Sequence, residues 1–220
     1  MAKPVKKRKY NSKVRQEQAE QTRTRILEAA TRLFLEDGYA RTSIRAIAEG
    51  AGVVPDTVYA AFGSKVRVLT ALIDQRLVPD GAVASVRDRP DVQAIRTEQD
   101  QRRQLEMFAE IFTKISGDLR PVFEILRTAS AVEPESAAVL KEMEAYRLQN
   151  MHIYAGWIAE RGALRCHVER AGEIMWALAS PDMGRKLCDE LRWSQAEHAG
   201  WLAETLIRTL LPSAPDSPLE

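Results

Sequence analysis

Apolar residues recur at helical spacing along most of the chain, and no segment alternates with the period of two that is typical of a strand. The first stripe begins after Thr24, a candidate N-cap, and ends before Gly38, a candidate stop. Its apolar positions are Ile26, Leu27, Ala30, Leu33 and Phe34. Residues 1–22 are polar and lysine-rich and lack such a stripe, so we expect a flexible arm there.

Two short stripes follow between Gly38 and Gly63. The first has Ile44, Ile47 and Ala48 as its apolar face, with Thr42 or Ser43 as its cap. The second begins at Pro55, because proline is best tolerated at the first helical position, and runs to Phe62. Gly52 allows a tight turn between them. Two short helices joined in this way predict a helix-turn-helix.

A longer helix follows, capped by Ser64 and reaching Leu77. Residues 78–99 hold two prolines and many charges, which indicates a connection with one short helix. The next helix begins near Gln101, and we expect Gly117 and Pro121 to break it, with a new helix from Pro121 to about residue 131.

The C-terminal helices are marked by their start signals. One starts at Pro134 and ends near residue 161, and others are predicted over residues 169–179 and 181–191. Ser194 and Glu197 have the spacing of a capping box that opens the last helix, which ends near residue 211. The fold class is therefore all-α, with about nine or ten helices.

Charge is divided unevenly along the chain. The whole chain has a net charge of +1, but residues 1–76 hold 15 basic and 8 acidic side chains, a net charge of +7, which leaves −6 for the rest. A basic N-terminal segment on an acidic remainder is the asymmetry expected if only that segment meets a polyanion.

Other classes of protein are disfavoured by composition. Cys166 and Cys188 lack the spacing of a zinc site and are expected to be reduced thiols; no metal and no cofactor is predicted. No apolar run is long enough to span a membrane, and no hydrophobic stretch follows the basic start as it would in a secretory signal. We expect a cytoplasmic protein that does not contact a membrane.

The second helix of a helix-turn-helix enters the major groove of DNA. Its groove-facing residues here are predicted to be Pro55, Asp56, Thr57, Tyr59 and Ala60, whereas Val58 and Phe62 pack inward. Thr42, Ser43 and Lys65 are further candidates for phosphate contacts, because each lies at a helix start. Short helices punctuated by glycine also form ordinary corners of helical proteins, so the basic segment carries much of the argument for DNA.

The order of residues over about Thr24 to Leu72 resembles the TetR (tetracycline-repressor) family. The resemblance rests on these stretches: residues 26–34 (ILEAATRLF), Gly38-Tyr39, residues 42–48 (TSIRAIA), residues 51–53 (AGV), Thr57-Val-Tyr59, Phe62 and Ser64-Lys65. The family resemblance implies a homodimeric repressor that binds a palindromic double-stranded DNA operator. It also implies that Thr42, Thr57, Tyr59 and Lys65 contact phosphates.

Two positions depart from the family pattern. Val54 stands where many relatives carry Ser or Thr as a side-chain cap, so Pro55 must compensate. Ala60 and Ala61 cannot hydrogen-bond to bases but can contact a thymine methyl group. Asp56 either accepts from a cytosine amino group or complements the helix N-terminus. Base readout then relies on the arm and on DNA shape.

The basic arm has two interpretations. The first is that it follows phosphates or enters the minor groove, which would add salt-dependent affinity. The second is a solubilising tail. We favour the first because the arm leads directly into the DNA-binding segment; its basic residues include Lys6, Lys7, Arg8 and Lys9.

The resemblance divides the chain into an arm (1–22), a helix-turn-helix domain with its connecting helix (23–76), a helical effector-binding and dimerisation domain (77–211) and a disordered tail (212–220). An unknown small-molecule effector would bind among Phe108, Phe112, Phe123, Leu126, Met143, Tyr146, Met151 and Trp157. The last two helices would pair with a second copy through Trp176, Leu178, Trp201, Leu202, Leu206 and Leu210. Each of these residues is also an ordinary candidate for the protomer's own core.

Three other functions are alternatives to a ligand-responsive repressor. An enzyme is disfavoured, since the chain lacks a nucleophile elbow, a P-loop, a dinucleotide-binding fingerprint and a metal-binding constellation. An architectural DNA-binding protein would have no effector. An activator differs from a repressor only in where its operator lies relative to a promoter.

Overall fold

The computed structural model describes residues 8–78 and 85–212, and these residues form helices without a strand. The α-helices are α1 (Arg8–Glu36), α2 (Ile44–Ala51), α3 (Pro55–Phe62), α4 (Lys65–Leu77), α5 (Pro90–Thr97), α6 (Gln101–Ser130), α7 (Pro134–Ala159), α8 (Val168–Leu178), α9 (Pro181–Gly184) and α10 (Gln195–Leu210). A 3-10 turn covers Val86–Asp88, and a π-helical turn, Arg185–Glu190, follows α9. We call α1–α4 the head and α5–α10 the body.

Helix α1 begins at Arg8, 16 residues before the predicted start at Thr24. The predicted cap is wrong, because the Thr24 hydroxyl bonds back to the Glu20 carbonyl at 3.1 Å inside the helix. Residues 14–22 are mostly exposed and rich in Arg, Gln, Glu and Ala, which favour a helix without an apolar stripe. Lys6, Lys7 and the tail residues 213–220 lie outside the described residues.

The head has a core of its own that extends into the body. Ile26 and Phe34 of α1 pack with Ile47 of α2, Val58 of α3 and Leu69 of α4. The same cluster includes buried residues of the second half of α6, among them Leu119, Val122, Phe123 and Leu126. The predicted division near residue 76 therefore separates two segments of chain that share one core.

Helix α6 is continuous, so the predicted break at Gly117 and Pro121 is wrong. Proline cannot donate a hydrogen bond to the carbonyl of Gly117, four residues earlier. Pro121 is exposed, where water can replace that bond. Burial of both halves of the helix, from Phe112 to Leu126, favours one continuous apolar stripe over a break.

The body core lies between α6, α7, α8 and α10. Tyr154 of α7 lies at its centre, with ring centroids of Phe112 and Trp157 at 5.0 and 5.1 Å. Helices α7 and α8 approach closely at Gly172, where an added Cβ would lie 2.3 Å from Cδ2 of His152. Only glycine fits at this position, because any larger residue would place its Cβ against His152.

Several predicted starts and stops are confirmed. Ser64 accepts a hydrogen bond from the Arg67 amide, and Ser194 and Glu197 form the reciprocal capping box of α10. Gly38 follows the end of α1 with a φ of 80°. None of the helices in the described ranges is long and apolar enough to cross a membrane.

Candidate DNA-binding surface and ligand cavity

Helix α3 presents a polar face to solvent and is anchored by one buried side chain. Val58 is 0% exposed in the head core, whereas Tyr59 is 52% exposed. Pro55, Asp56 and Ala60 are also exposed, and Thr57 is half-buried. Phe62 packs inward, with the guanidinium of Arg23 lying 4.3 Å from its ring centroid. The predicted division of α3 into groove-facing and packing residues agrees with this placement.

The turn before α3 has the geometry of a helix-turn-helix. Gly52 has a φ of 67°, a left-handed conformation that favours glycine, and it ends α2. Val54 has the extended backbone of an N-cap but provides no side-chain bond, and Pro55 takes the first helical position. The inferred absence of a side-chain cap is confirmed.

Thr42 and Ser43 have different roles. Thr42 is 3% exposed, and the carbonyls of Leu33 and Gly38 accept from its hydroxyl at 3.2 and 2.9 Å. Its hydroxyl is therefore engaged within the head and has a structural role at the start of α2, and its phosphate contact stays a prediction. Ser43 is exposed and accepts from the Ala46 amide at 3.1 Å, which makes it the cap.

Lys65 is held against Tyr39 at the start of α4. Its ammonium donates to the Tyr39 carbonyl at 2.9 Å and lies 4.0 Å from the centroid of the Tyr39 ring. Burial lowers the pKa of Lys65, although the nearby Glu133 charge opposes the shift. Lys65 therefore has a fixed position at the surface of the head.

A shallow depression of about 430 Å³ joins head and body. We call it the head–body depression; it is lined by Ala40, Arg41, Thr42, Ser43, Ile44, Tyr59, Gly63, Ser64, Lys65, Val66, Glu133 and Glu135. It brings together four of the predicted phosphate-contact residues, Thr42, Ser43, Tyr59 and Lys65. The two carboxylates come from the α6–α7 connection and the first turn of α7.

Glu133 and Glu135 bind the head through hydrogen bonds. Tyr39 donates to Glu133 at 2.5 Å, Ser64 donates to Glu135 at 3.0 Å, and Ser136 also donates to Glu133. Burial acts to raise the pKa of Glu133, but the hydrogen bonds from Ser136 and Tyr39 and the Lys65 charge outweigh it, so the pKa lies below its ordinary value. Burial, assisted by Glu133, raises the pKa of Tyr39, which keeps the phenol a donor.

A cavity of about 450 Å³ lies between α4, α6 and α7. Five of the eight predicted effector-contact residues line it: Phe112, Phe123, Met143, Tyr146 and Met151. The other three, Phe108, Leu126 and Trp157, are core residues that do not line the cavity and are corrected accordingly. Arg67, Thr70, Asp74 and Leu77 supply the α4 wall, so the cavity directly contacts the helix that follows the head's helix-turn-helix.

One side of the cavity has polar groups that sequence reasoning missed. Asn150 and Tyr154 lie one helical turn apart on α7, and Ser116 lies on α6. Asn150 Oδ1, Tyr154 Oη and Ser116 Oγ are buried without a hydrogen-bond partner among the residues that the structure describes. Predictions based on aromatic and methionine residues could not select Asn150 or Ser116.

Comparison with known proteins identifies the head. Residues 26–72 match the model of the tetR family of bacterial regulatory proteins. This segment, the head, is thus similar to the DNA-binding segment of tetR-family regulators. It is 45% identical over 58 residues to the HTH-type transcriptional regulator TtgR of Pseudomonas putida, a match covering 26% of this chain and 28% of TtgR. The chain thus spans about a quarter of the length of this curated relative.

Solved structures share the whole architecture. NalD of Pseudomonas aeruginosa, the secondary repressor of the MexAB-OprM multidrug efflux pump, has a TM-score of 0.66 and 24% identity, over 89% of this chain and 98% of NalD. SmeT, in a complex with triclosan, has a TM-score of 0.65 and 21% identity, over 90% of this chain and 97% of SmeT. The fold of a helix-turn-helix domain followed by a helical domain extends over nearly the full chain.

The residues that the TetR resemblance assigned to dimerisation fall into two groups. Leu202, Leu206 and Leu210 are 0% exposed inside the protomer's own core, so their assignment to an interface is corrected. Trp176, Leu178 and Trp201 are partly buried and remain at the surface of α8 and α10.

Sequence reasoning missed two arginines of the head. Arg45 is exposed in the first turn of α2, two residues after the Ser43 cap. Arg25 of α1 lies beside the turn, with Nη1 3.9 Å from where a Cβ of residue 52 would be. The polar face of α2 was a signal for Arg45, whereas only the fold brings Arg25 to the turn.

Proposed function

We propose that this protein is a ligand-responsive transcriptional regulator that binds a palindromic operator as a homodimer and represses until a small molecule releases it. The observation that carries the proposal is α3, which is anchored by Val58 and exposes Pro55, Asp56, Tyr59 and Ala60 on one face. A helix with this arrangement fits the major groove, which is wide enough to admit it. A regulator of this kind meets the chromosome in the cytoplasm and performs no catalysis.

Contacts with the DNA backbone come from groups around α3. The Ser43 and Tyr59 hydroxyls, the Lys65 ammonium and the exposed Arg45 guanidinium surround it. Such contacts fix the register of a protein on DNA, and base contacts then specify the sequence. The basic residues before α1 add affinity that does not depend on sequence.

The cavity supports a ligand-responsive regulator over an architectural DNA-binding protein. Its volume of about 450 Å³ lies within the range of small-molecule sites. Four residues of α4 form one wall, so a ligand that fills the cavity pushes on the helix attached to the head. SmeT, which shares this fold, was solved with triclosan, so the helical architecture is compatible with a small apolar molecule.

A ligand acts only if it binds two conformations with different affinities. We propose that the DNA-competent spacing of the two heads is incompatible with a filled cavity. Ligand entry then moves α4, changes the spacing of the half-sites and lowers operator affinity. Arg67 and Thr70, near the start of α4, link the cavity to the Ser64 cap and Lys65.

Selection from a library of random duplexes tests the proposal even when the operator sequence is unknown. The purified full chain should enrich a two-fold symmetric sequence whose half-sites are separated by about one DNA helical turn or a multiple of it. Tyr59→Ala should lose the enrichment, while Tyr146→Ala, a similarly exposed tyrosine at the cavity, should retain it. A folded protein that enriches no sequence would contradict the proposal.

A further inference from the structure

Three side chains, Asn150, Tyr154 and Ser116, form a polar wall of the cavity and indicate which chemical groups a ligand can present there. Asn150 and Tyr154 are 5% and 0% exposed, and Ser116 is 8% exposed. Each contributes a buried oxygen with no partner in the described part of the protein. Because buried polar atoms are normally hydrogen-bonded, three such atoms on one cavity need an explanation.

None of these three side chains carries a charge. Two cations line the cavity: Arg67, which is exposed on the α4 wall, and Arg147, which is half-buried. Arg147 is already engaged, since it donates to Glu144 at 2.9 Å and to the Trp176 carbonyl at 2.7 Å. An ionised ligand group at this wall would lose its hydration without gaining an opposite charge. The wall therefore favours an uncharged hydrogen-bonding group.

The rest of the lining is apolar and aromatic. The Phe112 and Tyr154 rings stand 5.0 Å apart, and Phe123, Met143 and Met151 extend the surface. Flat rings suit offset or edge contacts with such residues, and methionine adapts to irregular shapes.

We propose that the cavity binds an uncharged aromatic compound bearing a hydroxyl or similar donor, with Asn150 Oδ1 accepting that hydrogen bond and the Tyr154 and Ser116 hydroxyls completing it. This rests on the proposed function only in taking the cavity as the effector site. The aromatic body packs on Phe112 and Phe123, and its polar group lies at the Asn150 wall.

Three probes of one shape test this ligand class: 2-naphthol, naphthalene and 2-naphthoate, measured by equilibrium dialysis. Wild-type protein should bind 2-naphthol roughly three- to tenfold more tightly than naphthalene, as expected for a net neutral hydrogen bond. Naphthoate should bind most weakly. The combined variant Asn150→Leu, Tyr154→Phe should bind naphthol and naphthalene equally. Thr128→Val, which removes an exposed hydroxyl of α6 outside the cavity, should keep the preference.

Three results would overturn the ligand class: no preference in the wild type, the same preference in the combined variant, or binding of none of the probes. Duplex binding by the same preparations keeps these results separate from the proposed function. A protein that binds its selected duplex but fails the probe test has a different ligand. The single variant Tyr154→Phe should also raise the melting temperature of the ligand-free protein, since it removes an unpaired buried hydroxyl.

A second inference comes from the head–body depression. The groups suited to hold a DNA phosphate there, the Ser64 hydroxyl and the Lys65 ammonium, face Glu135 and Glu133 of the body. A phosphate in the same depression would lie near two carboxylates and be repelled by them. We infer that the start of α7 competes with the DNA backbone for the head, so that head–body docking itself weakens DNA binding.

Neutralising one carboxylate tests this competition. Glu135→Gln should tighten binding to any duplex by roughly two- to fivefold at low salt, the Coulomb interaction of unit charges 4–8 Å apart in water, and less at high salt. Glu106→Gln makes the same charge change near the far end of α6, where Glu106 pairs with Arg103 at 3.0 Å, and serves as the control. Equal affinities of the two variants, or weaker binding by Glu135→Gln, would overturn the inference, whereas absence of duplex binding by every form would instead contradict the proposed function.

Discussion

The phenol of Tyr39 donates a 2.5 Å hydrogen bond to the carboxylate of Glu133, 94 residues away in the chain. Tyr39 follows α1 in the head, and Glu133 caps the start of α7 in the body. Lys65 lies on the ring of the same tyrosine, which places a cation within reach of the pair. The contact is thus the central polar link between the DNA-binding surface and the helix that lines the ligand cavity.

This link makes the stability of the fold depend on acid pH. The pKa of Glu133 is lowered in the folded protein, so its contribution is fully present above the ordinary carboxyl pKa and is lost as pH falls through the folded value. The melting temperature of Glu133→Gln should therefore fall less than that of the wild type as the pH is lowered from neutral to about pH 2, well below the ordinary carboxyl pKa. Parallel pH curves for the two proteins, measured by circular dichroism, would contradict this account.

The missing cap of the recognition helix can be restored. Val54 has a φ of −83° and a ψ of 152°, which suit an N-cap, but it offers no acceptor. Val54→Ser should raise the free energy of unfolding by about 0.5–2 kcal/mol, measured by denaturant titration. Ser43→Ala, which removes the existing cap of α2, should lower it by a similar amount. An unchanged or lower stability of Val54→Ser would contradict the assigned cap geometry.

The Tyr59 hydroxyl should matter for DNA and not for folding. Tyr59 is 52% exposed, and no hydrogen bond within the described protein holds its hydroxyl. Tyr59→Phe should weaken operator binding by about 0.5–1.5 kcal/mol, the value of one hydrogen bond, without a change in melting temperature. Tyr146→Phe is the matched control and should bind the operator as the wild type does. Equal operator binding by both variants would remove Tyr59 from the DNA contact.

Close packing of α7 on α8 is testable at Gly172. An added Cβ would lie 2.3 Å from Cδ2 and 2.9 Å from Cα of His152, so Gly172→Ala should destabilise the fold by about 1–3 kcal/mol. Gly156 lies in α7, the helix of His152, but a Cβ there meets nothing within 4 Å. Gly156→Ala should be neutral or stabilising by up to about 1 kcal/mol. Similar unfolding curves for the two variants would show that the helices are further apart than described.

Features set by local chemistry were predictable from the sequence. The bounds of α3 and α4 follow from Pro55 and from the Ser64 cap, and the start of α10 follows from its capping box, since each signal lies within a few residues of its effect. The family resemblance covered this same N-terminal region. Val58 and Tyr59 were separated correctly because helical periodicity alone assigns their faces.

Features set by tertiary packing could not be predicted from the sequence. Continuity of α6 through Pro121 depends on burial of both halves of the helix, which no local rule contains. The bond between Tyr39 and Glu133, and the placement of Asn150 and Ser116 on one cavity, depend on segments far apart in the chain. Neither the head–body link nor the polar wall of the cavity therefore had a sequence signal. Leu202, Leu206 and Leu210 have the same apolar character whether they pack in a core or at an interface.

Fluorescence anisotropy with the selected duplex and a scrambled duplex, over a salt series from about 50 to about 200 mM, tests the central claim most directly. The account predicts specific binding at least about a thousandfold tighter than binding to the scrambled duplex, with a salt slope that becomes shallower when residues 1–15 are deleted. Equal affinity of the folded protein for both duplexes across the series would contradict a sequence-specific regulator.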